Sequence, residues 1–435
     1  MKWRTYPEYK NSRAEWLGKI PHHWNTKRLK FVADIQTGST PPKSDPENYS
    51  DDGLTWVKPD GLGSLSPIMN SKERLSDRGV EYARISPAKS VLVCCIGSVG
   101  KVGVAGCRLA TNQQINSLIF RRDLYPDYAL YLIVASEKEH QRLANGNVVQ
   151  IINSENEGNI SLSVPPLAEQ RAIAAFLDRE TARIDALIEK KERQIELLQE
   201  KRAALISRAV TKGLDPSAKM KDSGIEWLGE IPEHWEIKRI KNMGHIKYGL
   251  GEPPRSLDTG LPIIRATDIS GGKINMATVQ RIDPDDVPWS RDPSLQTNDI
   301  LVVRSGAYTG DSAIVQPEVA GAIAGYDMVL RVTKASPYFV AYALLSKYLL
   351  QGQIYLEKMR AAQPHLNAEE LGNCIILIPP KPEQEEVVSY LNKETANLDK
   401  TLAKIDKSTS ILLEYRTALI SAAVTGKIDV CAEVF

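Results

Sequence analysis

The sequence predicts a mixed α/β (α+β) protein: two similar globular domains separated by two long helices, duplicated about a pseudo-two-fold, with the helices pairing as an intramolecular coiled coil. Three observations predict it. The 51 residues from Pro165 to Asp215 return 214 positions later, and 21 of the 51 are identical without a gap. A shorter segment, Glu15-Trp16-Leu17-Gly18-Lys19-Ile20-Pro21-His22-His23-Trp24, returns as Glu226-Trp227-Leu228-Gly229-Glu230-Ile231-Pro232-Glu233-His234-Trp235. The stretches between these repeats diverge but keep a common skeleton of short apolar runs and glycine turns. A repeat of this length is a duplicated domain unit, since solenoid repeats have periods of about 20–50 residues. The expected order is a domain over 1–164, a helix over 165–215, a domain over 216–378 and a helix over 379–435.

The lead-in segments come first. After Trp24 and Trp235, Lys27-Arg28-Leu29-Lys30 matches Lys238-Arg239-Ile240-Lys241. Each half is therefore a Trp-Leu-Gly lead-in, a globular domain and a long helix. Within the domains, Ser90–Ile96 and Asp299–Arg304 are strand candidates. They run into the glycine turns Gly97-Ser98-Val99-Gly100-Lys101 and Gly306-Ala307-Tyr308-Thr309-Gly310. Frequent Pro and Gly favour strands and loops with few helices. Tyr125–Leu143 and Pro337–Tyr355 are the helix candidates near each domain's end.

The long helices follow from punctuation and period. Pro165-Pro166 and Pro379-Pro380 open them, and few breakers follow before Gly213 and Gly426. One seam runs through Leu177, Thr181, Ile184, Ile188, Lys191, Ile195, Leu198, Arg202 and Leu205. The other runs through Leu391, Thr395, Leu398, Leu402, Ile405, Thr409, Leu412, Arg416 and Leu419. Steps of four and three alternate, which is the heptad rhythm. A helix of roughly 40 residues spans about 60 Å. A lone apolar stripe of that length needs a partner, and the nearest is the other copy.

Composition is that of an ordinary soluble protein, with a formal net charge of +1 over 435 residues. The absence of an 18-residue apolar run or a signal-peptide pattern makes a cytoplasmic protein, away from membranes, the expectation. Cys94, Cys95, Cys107, Cys374 and Cys431 are odd in number and show no CxxC spacing, so reduced core cysteines are expected and no metal site. Enzyme signatures are missing. Gly100-Lys101 and Gly426-Lys427 lack the upstream glycine of a phosphate-binding loop. The four Pro-Pro pairs, at Pro41, Pro165, Pro253 and Pro379, have neither the leading residue nor the aromatic of the adenine-methyltransferase [DNS]-P-P-[FYW] motif. Glu189-Lys190-Lys191 fits a nuclease ExK only nominally. No catalytic residue is nominated.

The repeated motifs resemble those of the specificity subunit of Type I restriction-modification enzymes. The matching residues are the two Leu-Gly-x-Ile-Pro-x-x-Trp lead-ins, the Thr37-Gly38-Ser39-Thr40-Pro41 turn and the Pro-Pro-x-x-Glu-Gln helix openings. The closings Arg202-x-x-Leu205-Ile206 to Thr211 and Arg416-x-x-Leu419-Ile420 to Thr425-Gly426 match as well. The likeness covers essentially the whole chain. The loop Tyr248-Gly249-Leu250-Gly251-Glu252-Pro253 departs from the Thr-Gly-x-Thr-Pro pattern.

The resemblance implies a non-catalytic DNA-binding subunit whose two target-recognition domains each read half of a bipartite double-stranded site. It implies that the helices run antiparallel and set the spacer between the half-sites. It further implies two methyltransferase subunits and two restriction/translocase subunits as partners, with S-adenosylmethionine, ATP and Mg on those partners and no cofactor in this chain. Two quasi-equivalent docking surfaces for the methyltransferase subunits are expected around the helix flanks and Trp16 and Trp227, with Trp16 near the end of the second helix.

Phosphate contacts position a protein on DNA, whereas base edges specify. Divergent turns on a duplicated scaffold suit two different half-sites. The candidates for contact are Thr40, Lys43, Lys58, Ser98, Lys101, Asn112, Gln113 and Gln114 in the first domain. In the second they are Arg255, Arg265, Arg304, Ser305, Tyr308 and Thr309. About half are expected only to cap turns or stay solvated. Residues 1–164 hold 21 basic and 17 acidic side chains and residues 219–378 hold 17 and 19, so the chain alone is expected to grip DNA modestly. Two other readings remain open at this stage. A protein-binding coiled-coil scaffold would lack salt- and sequence-dependent DNA binding, and an enzyme with a fused site would modify DNA unaided.

Overall fold

A computed structural model describes residues 3–146, 148–252, 254–355 and 365–431; Pro253 of the second glycine-rich loop lies outside them. The chain forms two compact units, one from Met1–Lys191 with Lys407–Phe435 and one from Glu192–Asp406. Two helices dominate, Leu167–Lys212 and Lys381–Val424, at 46 and 44 residues. Each follows its Pro-Pro pair, and Pro382 is tolerated because the first turn needs no intrahelical N–H bond. Each ends at a glycine in the left-handed region, Gly213 at φ +72° and Gly426 at φ +71°, where a side chain would be strained.

The seams lie where the heptad rhythm puts them. All eighteen seam residues are buried or half-buried, while the flanks between them are largely exposed. In the first unit Leu177, Ile184, Leu419, Ile420, Ala423 and Val424 share one core with the globular domain. Arg416 forks onto Asp185 at 2.8 and 3.1 Å. In the second unit Ile206, Ala209 and Val210 share a core with Val387 and Leu391. Thus the start of the first helix meets the end of the second in one unit, and its end meets the start of the second in the other. That is antiparallel pairing. The seam threonines have a specific use: the Tyr131 hydroxyl reaches Asp178 at 2.8 Å and Thr181 at 3.1 Å, and Tyr342 reaches Asn392 at 2.7 Å and Thr395 at 3.3 Å.

The first globular domain has two sheets. In the larger, Ala33–Thr37, Ile115–Phe120, Val91–Cys94, Val102–Ala105 and Pro67–Ile68 lie in that order. Val91–Cys94 is central and wholly buried, as its unbroken apolar run requires. The smaller sheet is Glu73–Leu75, Tyr49–Val57, Leu109–Thr111 and Ile85–Ser86. The second domain repeats the plan with Gly244–Tyr248, Met328–Val332, Ile300–Val302 and Ser312–Ile314, beside Gln280–Ile282, Ser256–Ile264 and Ile323–Ala324. Register gives the correspondence: Val93 faces Asn116, which faces Thr37, and Val302 faces Met328, which faces Tyr248.

The repeated motifs turn out to be brackets. Each lead-in is a small hairpin, Tyr9–Asn11 with Lys19–Pro21 and Met220–Asp222 with Glu230–Pro232. Trp24 and Trp235 are fully buried, and their indole N–H groups donate to Glu169 at 2.9 Å and Glu383 at 3.0 Å in the first turns of the long helices. His23 and His234 contact the same carboxylates, each at 2.7 Å. Gln170 accepts from the Tyr125 amide and Gln384 from the Ser336 amide, both at 2.7 Å. Gly426 packs on Pro21 and Trp24 so closely that an added Cβ would sit 2.3 Å from the proline ring.

Several expectations change. The Tyr125–Leu143 helix is two, Pro126–Ala135 and Glu137–Leu143, because Ser136 bonds back to Ile133. Pro337–Tyr355 is likewise divided, with Pro337–Leu344, Lys347–Leu349 and a π-helical turn Leu350–Ile354. Trp24 packs on Gly426 at the end of the second helix, while Trp16 packs on the core that Leu419, Ile420, Ala423 and Val424 share and donates to Ser161 at 2.9 Å. Its counterpart Trp227 is 49% exposed. The cysteines are free, with Cys94, Cys95 and Cys374 buried. No helix among the described residues is long and apolar enough to cross a membrane.

Candidate nucleic-acid interface

At one end of each larger sheet, the first strand runs out, the central strand turns back and the strand between them begins. Three backbone turns therefore converge there. In the first domain they are Gly38–Pro41, Ile96–Lys101 and Asn112–Gln114. The convergence is tight. Gly38 donates to Ile115 at 3.0 Å and Ser39 to Thr111 at 2.9 Å. A Cβ on Gly38 would fall 2.3 Å from backbone oxygens of Thr111 and Asn112, so only glycine fits. The second domain repeats both bonds, from Gly249 to Asp327 at 2.9 Å and from Leu250 to Ala324 at 3.1 Å. Hence Gly249-Leu250 occupies the place of Gly38-Ser39 although the motif differs.

Most of the first-domain candidates meet at this end. Thr40 donates to Gln113, which is exposed. Asn112 is buried and caps its own turn, bonding Gln114 at 3.0 and 3.2 Å and the Val57 carbonyl at 3.0 Å. Val57 leads into Lys58, whose ammonium pairs with Glu73 and lies 4.9 Å from the Trp56 ring. Trp56 is fixed by its indole bond to Ser39 at 3.2 Å. Lys101 donates to the Pro59 carbonyl at 3.2 Å. Ser98 and Lys43 stand exposed on neighbouring turns. Gln113, exposed and joined to Thr40, thus sits on a frame in which the side chains of Asn112, Lys58, Trp56 and Lys101 already have partners.

The second domain presents a different set. Arg304 and Ser305 follow the central strand, and Tyr308 is 49% exposed on the same turn. Thr309 is buried and donates to Gly306 at 2.8 Å, so it caps the turn. The Arg304 guanidinium lies 3.5 Å from the Tyr326 ring centre and 4.9 Å from that of Tyr248. Beneath them Asp327 accepts from the Arg304 amide at 3.2 Å, and burial pushes its carboxyl up to about 6. Arg265, at the end of a smaller-sheet strand, is held by buried Asp268 at 3.2 Å. The structure does not bring Arg255 to this cluster by any contact; it forks onto Asp286 and Asp283 at 2.8–3.1 Å.

Tyr248, Tyr326 and Asp327 were not nominated from sequence. The signal was available: Tyr326 immediately precedes the register position of Ile115, where the first domain has its Gln113-Gln114 turn, one residue longer. Aligning the halves by strand order rather than residue identity places these side chains opposite one another.

The family model of the Type I restriction modification DNA specificity domain matches residues 21–197 and again 232–407. The Type I restriction enzyme MjaIX specificity subunit of Methanocaldococcus jannaschii is 23% identical over 441 residues, spanning 99% of this chain and 98% of that protein. The EcoKI specificity subunit of Escherichia coli K12 is 21% identical over 436 residues, spanning 94% and 90%. A solved structure, described as the structural basis of complex assembly and conformational transition of the type I R-M system, shares the fold. Its TM-score is 0.68 at 17% identity, over 93% of this chain and 98% of that one. With the specificity-domain match falling once on each of the two repeated halves, the chain belongs to the Type I restriction-modification DNA specificity family.

Proposed function

We propose that this chain is the sequence-reading subunit of a Type I restriction-modification complex, and that each globular domain reads one half of a bipartite DNA site. One observation carries the reading. Two corresponding sheet ends, anchored by duplicated Trp–Glu and Gln–amide brackets, present different polar side chains on their converging turns: Thr40 and Gln113 in one, Arg304 and Tyr326 in the other. Asn, Gln and Arg are the side chains that distinguish base edges in the major groove. The recognition domains are taken as 1–164 and 216–378 and the spacer helices as 165–215 and 379–435.

In this reading methyl transfer and cleavage belong to partner subunits, which hold S-adenosylmethionine, ATP and Mg. Two methyltransferase subunits dock on the two quasi-equivalent helix flanks, since two copies of one surface suit two copies of one partner, and two restriction subunits complete the assembly. Exposed Trp227, Leu197, Leu413 and Tyr415 supply apolar area for such docking. The test is domain exchange. Residues 25–164 are replaced by the equivalent domain of a relative, the complex is assembled with its methyltransferase, and methylated sites are mapped. One half-site changes and the other stays; a simultaneous change in both would end the two-reader proposal.

A further inference from the structure

Among the basic side chains of the second domain, most are already committed. Arg255 is bound by Asp283 and Asp286, Arg265 by Asp268, Arg331 by Asp299, Lys247 by Asp292 and Lys273 by Asp399. Arg304 differs. Its guanidinium is stacked on Tyr326 and lies over Tyr248, yet among the described residues no acceptor takes a hydrogen bond from it, and its Nε is buried without a partner. The rings are themselves held. The Tyr248 hydroxyl accepts from the Ala368 amide at 2.9 Å, and Tyr326 adjoins Asp327, which fixes the Arg304 backbone at 3.2 Å. Both rings remain 45–47% exposed, so the stack is open on its outer side.

A planar fork with unused N–H donors, oriented before any ligand arrives, is poorly explained as a stabilising element. Leaving a guanidinium without acceptors is unfavourable unless something outside the domain supplies them. Stacking holds the plane of the fork, so little conformational freedom is lost when two parallel hydrogen bonds form. A phosphate can also take two N–H bonds from such a fork, but it carries no base information, whereas a reading domain must place donors on base edges. A purine edge offering two acceptors in one plane fits the fork, and guanine O6 and N7 are that edge.

The geometry points to Arg304 as the residue through which the second domain reads a guanine in its half-site, an assignment that rests on the DNA-reading function proposed above. The tyrosine faces keep the fork rigid, and Ser305 and Tyr308 lie on the same turn for neighbouring contacts. The first domain carries Cys95 at the matching register position, so it reads its own half-site by other means.

The experiment uses the full chain assembled with its methyltransferase partner. Binding is measured at fixed salt to its methylated-site sequence and to duplexes altered singly at every half-site position, for the parent, Arg304→Ala and Arg304→Lys. The parent discriminates for guanine at one second-domain position by roughly ten- to a hundredfold. Both variants lose that preference, while reading of the first half-site is unchanged and serves as the control for folding. Arg304→Lys retains more affinity because its charge remains. An even loss of affinity across all duplexes, or guanine preference intact in both variants, overturns the assignment while leaving the DNA-reading function standing. A parent complex with no base preference anywhere overturns both.

Discussion

Glu383 offers a direct test of whether the repeated motifs hold the domains to the helices. Its carboxylate accepts from the Trp235 indole at 3.0 Å and meets His234 at 2.7 Å. Trp235 is fully buried, so removing the acceptor strands an N–H away from water. A hydrogen bond to a charged group is worth about 1.5–3 kcal/mol. The His234 side chain is half-exposed, so its contribution stays below about 1 kcal/mol. Glu383→Ala should therefore cost about 2–3 kcal/mol, whereas Glu383→Gln, which keeps an acceptor oxygen, should cost under about 1 kcal/mol. Urea unfolding followed by circular dichroism gives both values. The decisive comparison repeats Glu383→Ala in a Trp235→Phe background, where the N–H is already gone. There the alanine should cost about 1.5–2 kcal/mol less. Equal costs in the two backgrounds would refute the bracket.

Burial raises the Asp327 carboxyl from 3.8 to about 6. The folded state then binds that proton more tightly than the unfolded chain. Its stabilising effect is full below about pH 3 and is lost as pH rises through 6, a change of about 3 kcal/mol. Parent minus Asp327→Asn stability, measured by urea unfolding from pH 3 to 7, should fall by that amount, and a flat difference would disprove the linkage. On the seam, Leu391→Ala should cost about 2–4 kcal/mol because the side chain is fully buried. Leu197→Ala, 48% exposed, should stay within about 0.5 kcal/mol in the same assay, and similar losses would mean the seam is misplaced. Seven residues added to each long helix keep the heptad phase and lengthen it by about 10 Å. Methylation mapping should find the half-sites roughly three base pairs further apart with unchanged sequences, since base pairs rise by about 3.4 Å. An unchanged spacer in an active variant would remove the helices as the ruler.

The helices were legible because period and punctuation are local. Leu177 to Leu205 and Leu391 to Leu419 can be read as seams without knowing what surrounds them. The seam threonines were legible only as positions, because their use depends on Tyr131 and Tyr342, some fifty residues earlier in each half. The breaks at Ser136 and Ser346 escaped notice because a serine bonding back to the turn before it leaves no mark in an apolar run. At the sheet ends, turns were recognisable but pairings were not. Arg255, Arg265 and Arg304 look alike as sequence. Their different fates are decided by Asp286, Asp268 and Tyr326, which reach them through loop geometry that periodicity does not carry. Likewise Glu169 and Gln170 were visible as a motif, but their role as anchors for Trp24 and the Tyr125 amide appears only when strand and helix meet.

The first unit's core is finished by Leu419, Ile420, Ala423 and Val424, and the carbonyl of Val424 takes hydrogen bonds from Ser163 at 2.6 Å and Tyr128 at 3.2 Å. This imposes an order on biogenesis. The unit formed by Glu192–Asp406 is one uninterrupted segment and has all its parts once Asp406 has left the ribosome. The unit that begins to be made first must wait for Lys407 onward, an interval of roughly 10–40 s at about 5–20 residues per second. The unit begun first is therefore the one whose core is completed last, by the final helical turns of the second long helix.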